Sequence, residues 1–127
     1  MNYLLDTHTL IWFLEDDKAL SKRAKARIED SESKVFVSIV ALWEIAIKTS
    51  LRKLTISRTI DEILIEIEEL EIKLLPIDPD AVKQVQNIPF HHRDPFDRMM
   101  ICQAQVNDYT VITRDPAFKD YAVDVFW

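Results

Sequence analysis

No glycine occurs anywhere in the 127 residues. Glycine is the residue that enters left-handed backbone conformations at no steric cost and lets a chain approach a ligand closely. Its absence removes the P-loop, the dinucleotide-binding fingerprint and every glycine-rich phosphate cradle from consideration. A chain like this that handles phosphate must do so with side chains or a metal. Its helices must also stop by other means, and Asn107-Asp108 is positioned to close one in place of glycine.

The length suits one domain, residues 1–127, with a true core. Hydrophobic residues make up 48% and charged residues 30%, the balance of a soluble globular protein. No apolar run is long enough to span a membrane, so no membrane association is expected. The opening "MNYLLDTH" lacks a basic region and brings in an aspartate at position 6, so no signal peptide is expected. The single Cys102 lies in an apolar run and is expected to pack there, without any disulfide framework; a reducing cytoplasm is the expected home. A net charge of −6 argues against a simple basic nucleic-acid binder. It leaves room for a metal-dependent one, because carboxylates gathered round divalent cations are counted here without those cations.

Strand and helix signals alternate. "NYLLD" reads as a buried strand ending in Asp6. "SKRAKARIED" reads as a helix capped by Ser21, "KVFVS" (34–38) as a strand, and "SIVALWEIAIKTSLRK" as a helix capped by Ser38. "TIDEILIEIEEL" carries Thr59 and Glu62 as a capping box. "KLLPI" (73–77) is a third strand, Asp78-Pro79 and Asp94-Pro95 each open a helix, and "TVIT" (110–113) and "VDVFW" (123–127) are the last strands. This alternation predicts a mainly parallel, five-stranded α/β sheet covered on both faces.

In such sheets, ligands sit beyond the carboxyl ends of the strands. Asp6 ends the first strand and Thr113, Arg114 and Asp115 end the fourth. Glu44 follows Ser38 by six residues, and Asp94 and Asp97 share the first turn of one helix. Each acid also has an ordinary explanation. Asp6 ends a strand, Asp94 and Asp115 precede prolines as helix caps do, and Asp97 gains from the helix dipole. Asp94 reads equally well as cap and as ligand. Glu44 is harder to explain away, since glutamate flanked by apolar residues is rarely buried without a partner.

Taken together the acids say more. Two unit charges about 4 Å apart repel by roughly 4 kcal/mol at an effective dielectric near 20. Converging carboxylates therefore take up protons or a cation, and oxygen-only ligands suit Mg²⁺ or Mn²⁺. His91 and His92 are adjacent and point different ways, and His8 reads as a packing residue, so zinc is not indicated. Carboxylates with a hard divalent metal are the equipment of phosphoryl transfer and phosphodiester hydrolysis. Lys22, Arg23, Lys25 and Arg27 on one helix, and Lys48, Arg52 and Lys53 on the next, are available to a polyanion, although a solvated helix face is the commoner role for such residues.

"LLDTHTLIWFL", "VSIVALWEIAIK", "HHRDPFDRMMICQA" and "VITRDPAF" resemble, in that order, the motifs of PIN-domain ribonucleases, most closely the VapC-type toxins of toxin–antitoxin pairs. The resemblance runs over essentially the whole chain. It implies a PIN-like fold, Mg²⁺- or Mn²⁺-dependent endoribonuclease activity, homodimers and inhibition by a VapB-like antitoxin. It also implies that Asp6, Glu44, Asp97 and Asp115 are the catalytic metal ligands. Asp94 is then the helix cap and a supporting residue behind the metal, with Thr7 and Thr113 supporting the site by hydrogen bonds. The implied chemistry is in-line attack of metal-activated water on RNA, leaving a 5′-phosphate and a 3′-hydroxyl. Arg93, Arg98 and Arg114 are candidate RNA phosphate contacts, each with the alternative of pairing with a nearby aspartate.

Two rival readings stand beside this one. A Mg²⁺-dependent aspartate phosphotransfer or phosphatase domain also uses strand-end aspartates, and "LDTHT" is similar to the dehalogenase nucleophile loop, but His8 stands where a second aspartate is needed. A PIN-like module that binds a partner without cleaving is the other, and it gives no reason to keep like charges converging.

Overall fold

The computed structural model describes all of residues 1–127. Five strands, β1 (Asn2–Leu5), β2 (Lys34–Ser38), β3 (Lys73–Leu75), β4 (Thr110–Ile112) and β5 (Val125–Phe126), form one sheet in the order β3-β2-β1-β4-β5. Every pairing is parallel. Parallel neighbours need crossover connections, and the helices supply them: α1 (Thr7–Leu14), α2 (Lys22–Glu29), α3 (Ile39–Ser50), α4 (Ile60–Glu69), α5 (Pro79–Asn87) and α6 (Pro95–Asn107). A 3-10 turn, Pro116–Asp120, joins β4 to β5.

The central strand shows why the sheet is covered on both faces. Successive residues of a strand point to opposite sides, and Leu4 and Leu5 are both fully buried. One hydrophobic cluster joins β1, β2 and β4 to Leu10, Ala24, Ile45, Ile63, Met100 and Phe118. Cys102 packs inside it as expected, and burial pushes its thiol up to about 11, against a smaller opposing pull from Arg98. No helix is long and apolar enough to cross a membrane.

Local chemistry explains the helix ends. Ser21, Ser38, Thr59, Asp78 and Asp94 all cap as expected, and Thr59 and Glu62 form the reciprocal capping box. Without glycine, the left-handed positions fall to Asp16, Arg52, Glu71 and Asp108. Asp108 ends α6 there, as its sequence position suggested.

One helix was not foreseen. "THTLIWFL" forms α1, and Asp6 caps it by accepting from the Thr9 backbone N–H. The segment has no polar stripe to announce a helix: Leu10 and Ile11 are buried and Trp12, Phe13 and Leu14 pack half-buried beside them. The 3-10 turn after Asp115 was anticipated only as a cap. Strands β3 and β5 are shorter than their apolar runs, since each lies at a sheet edge with a single neighbour.

Candidate active site

The chain builds the sheet outward from β1 through β2 to β3, then returns to the other side of β1 with β4. The carboxyl ends of β1 and β4 therefore flank the point where strand order reverses, which is where α/β sheets hold ligands. A cleft of about 410 Å³ opens there. Among its eleven lining residues are Asp6, Glu44, Asp94, Asp97 and Asp115, with Thr7, His8, Trp12, Lys48, Arg114 and Pro116.

Each acid is delivered by a different piece of local structure. Asp6 leaves β1 in register with β4, its N–H donating to the Ile112 carbonyl at 3.4 Å. Only 6% exposed, its Oδ1 accepts from the Thr9 N–H at 2.8 Å while its Oδ2 accepts from the Thr113 hydroxyl. Burial raises its pKa; the bonds from Thr113 and Thr9 and the charge of His8 oppose that without cancelling it. Glu44 sits under two turns into α3 and is 2% exposed. The Thr7 hydroxyl donates to its Oε1 at 2.6 Å, and the Lys48 ammonium, one turn on, donates to its Oε2. Asp94 caps α6, its Oδ1 accepting from the N–H groups of Phe96 and Asp97 at 2.9 and 3.1 Å. Asp115 caps the 3-10 turn through the Ala117 N–H and donates its own N–H to the Thr113 hydroxyl.

Asp97 reports on all the others. Its pKa is pushed up to about 8, first by burial and then by the negative charges of Asp94, Glu44, Asp6 and Asp115, all in the same direction. Five carboxylates thus share one electrostatic environment, and the shared repulsion rests on the half-buried Asp97. Carboxylates converging in this way take up a proton or a cation.

The carboxylates do not yet stand at ligand geometry: no three His, Cys, Asp or Glu side chains are arranged to hold an ion. At Glu44, Thr7 and Lys48 engage both oxygens. Bare acids also repel one another. The donor set, oxygen only with carboxylates converging from four segments, fits a hard divalent cation and not zinc.

Thr7 and Thr113, expected to support the site, hydrogen-bond Glu44 and Asp6 respectively. Arg114 lines the cleft with its guanidinium 4.5 Å from the Trp12 ring centre. Arg93 is exposed and lies outside the cleft lining. Arg98 corrects an expectation. It does not reach the acidic edge but is 6% exposed, donating to the Pro89 carbonyl and the Tyr121 hydroxyl and lying 4.2 Å over the Phe90 ring. Position 98 faces into the fold, one helical position past Asp97, which turns it away from the cleft.

Two lining residues were not singled out from the sequence. Trp12 comes with the unforeseen α1. Lys48 counted only as one of several basic helical residues, although its spacing of four from Glu44 is the signal that places both on one face.

The family of PIN domains matches residues 3–124. The chain belongs to the PIN-domain family. This PIN domain is also similar in fold to solved toxin–antitoxin proteins. A chain of VapBC2 from Rickettsia felis, bound to a DNA fragment from its promoter, superposes with a TM-score of 0.72 at 11% identity, covering 99% of this chain and 98% of that one. For DNA-bound VapBC from Salmonella typhimurium the figures are 0.66, 16%, 99% and 97%. For VapBC-5 from Mycobacterium tuberculosis they are 0.60, 20%, 98% and 95%. No curated protein matches the chain.

Proposed function

We propose that this PIN domain is a metal-dependent endoribonuclease, the VapC-type toxin of a toxin–antitoxin pair. The observation that carries the reading is the single cleft into which Asp6, Glu44, Asp94, Asp97 and Asp115 converge, and the mutual repulsion there raises the pKa of Asp97. A fold has no structural use for such repulsion, and a divalent cation removes it. In this reading Asp6, Glu44, Asp97 and Asp115 would hold Mg²⁺ or Mn²⁺, and Asp94 sets the start of α6.

When bound, the metal supplies a polarised water and offsets charge on the scissile phosphate. The remaining work belongs to side chains. Thr113 holds the Asp6 carboxylate and Thr7 holds Glu44 by hydrogen bonds from their hydroxyls. Arg114, its guanidinium over the Trp12 ring, lines the cleft and offers donors to an RNA phosphate. Asp97, drawn into the same cleft, would supply a third carboxylate to the metal.

The solved relatives named VapBC are complexes, and by that likeness a VapB-like antitoxin is the proposed partner, with a homodimeric toxin acting in the cytoplasm. The test is cleavage of total cellular RNA by purified, antitoxin-free protein with Mg²⁺, with Mn²⁺ and with EDTA. The expected result is metal-dependent products that an Asp6→Asn variant does not make. A folded protein that binds Mn²⁺ calorimetrically and cuts no RNA would instead support a PIN module that only binds.

A further inference from the structure

We infer that Lys48 is a tethered counter-ion that competes with the metal for Glu44 and passes to a substrate phosphate when the metal displaces it. The inference rests on the nuclease reading above and deepens it. Three observations carry it.

The first is occupancy. Glu44 is the most deeply buried acid of the cleft, and Lys48 sits on its Oε2 while Thr7 takes Oε1. A cation approaching Glu44 meets an oxygen already neutralised. The second is freedom of movement. The Lys48 side chain is 33% exposed against 3% for Glu44, so the carboxylate is fixed and the ammonium stands on a flexible stem reaching towards solvent. The third is position. Lys48 lines the same cleft as Asp6, Asp97 and Arg114. Displaced from Glu44, its ammonium stays within the cleft, facing the place where a backbone phosphate must come to meet the metal.

The arrangement has a clear physical use. Without a metal, Glu44 would be an unpaired buried charge, which is strongly destabilising. Lys48 removes that penalty while the site waits. When a divalent cation takes over Glu44, the ammonium becomes surplus positive charge in the cleft, and an incoming phosphodiester supplies the anion. Metal and substrate thus exchange partners through one lysine.

The test compares wild type, Lys48→Met and Lys48→Arg. Methionine keeps most of the stem without the charge, and arginine keeps the charge. Calorimetric titration with Mn²⁺ is the first readout. Because an internal competitor lowers apparent affinity by the fraction of time it blocks the site, Lys48→Met is expected to bind Mn²⁺ roughly 3- to 10-fold more tightly than wild type. In EDTA the same variant melts at a lower temperature, and Mn²⁺ restores it beyond wild type. Cleavage of RNA at saturating Mn²⁺ falls on the order of tenfold or more, as losing one charge-assisted contact to phosphate entails. Lys48→Arg recovers much of that cleavage.

Equal or weaker Mn²⁺ binding by Lys48→Met overturns the competition, and undiminished cleavage overturns the transfer to phosphate. Failure of the nuclease reading looks different: wild type then cuts no RNA at any metal concentration, whatever the calorimetry of the variants shows.

Discussion

Two regions of this molecule bury charge, and they treat it in opposite ways. Around Arg98 the charge is satisfied from within: the Pro89 and Val85 carbonyls and the Tyr121 hydroxyl accept its protons, and Phe90 covers its face. In the cleft, five carboxylates face one lysine and one arginine, and Asp97 is left holding a proton near neutrality. The first arrangement is complete without any ligand. The second keeps a mutual repulsion that no partner within the chain removes, and in the nuclease reading a cation would remove it. A buried charge with all its partners inside the chain indicates architecture, and one whose partners are missing indicates function.

The strongest way to break this contrast is to neutralise the acids one at a time. Asp6→Asn and Glu44→Gln should lower RNA cleavage by at least about 100-fold while far-ultraviolet circular dichroism stays native, as loss of a metal ligand does. Asp97→Asn should match them. Asp94→Asn should lose much less, because asparagine caps a helix as well as aspartate does. Equal losses at positions 94 and 97 would mean that both bind the metal.

Arg98→Ala makes the converse test. It should cost about 2–4 kcal/mol in urea unfolding through lost packing and orphaned acceptors, yet leave the cleavage rate of the folded fraction near wild type. A stable Arg98→Ala protein without activity would place Arg98 in the site after all.

Titration sharpens the contrast further. Asp97 in the metal-free fold has a pKa raised to about 8, above its ordinary value of 3.8. Between those values the folded state binds more protons than the unfolded state, so metal-free stability falls as pH rises and levels off above pH 8. Saturating Mn²⁺ should flatten that slope, and Asp97→Asn should lessen it without metal, leaving the share that Asp6 contributes. A stability curve in EDTA that rises over the same range would show that Asp97 is already ionised. The smallest effect is a control away from both regions. Glu71→Gly relieves a left-handed position and should stabilise by about 0.5–1 kcal/mol without touching activity.

Much of this was legible in the chain because the signals were local. A β-branched run reads as a strand whatever packs on it, and Ser38, Thr59 and Asp94 announce helix starts by residue type alone. The helix at Thr7–Leu14 was hidden because it is apolar nearly all round, so periodicity had no polar face to contrast with. Among the cleft residues, the aspartates were readable as polar residues ending apolar runs, and Glu44 as an acid within one. Arg98 misled because proximity in sequence to Asp97 was taken for proximity in space, whereas one step along a helix turns the side chain by about 100°. Lys48 was passed over because a lysine on a helix is ordinarily a solvated one. Only the fold shows that its neighbour Glu44 is buried.

Asp6, Asp94 and Asp115 each anchor the first turn of a helical segment with the same carboxyl group that faces the cleft. In the nuclease reading, three capped helix starts with no glycine among them make the mouth of the cleft a fixed ledge. The work of adapting falls on whatever enters. An unpaired strand can rotate its backbone to bring one phosphate down to the ledge. A stacked duplex holds its phosphates in fixed register and has no such freedom. In the nuclease reading, the choice between looped and helical RNA is thus made by which of the two can bend.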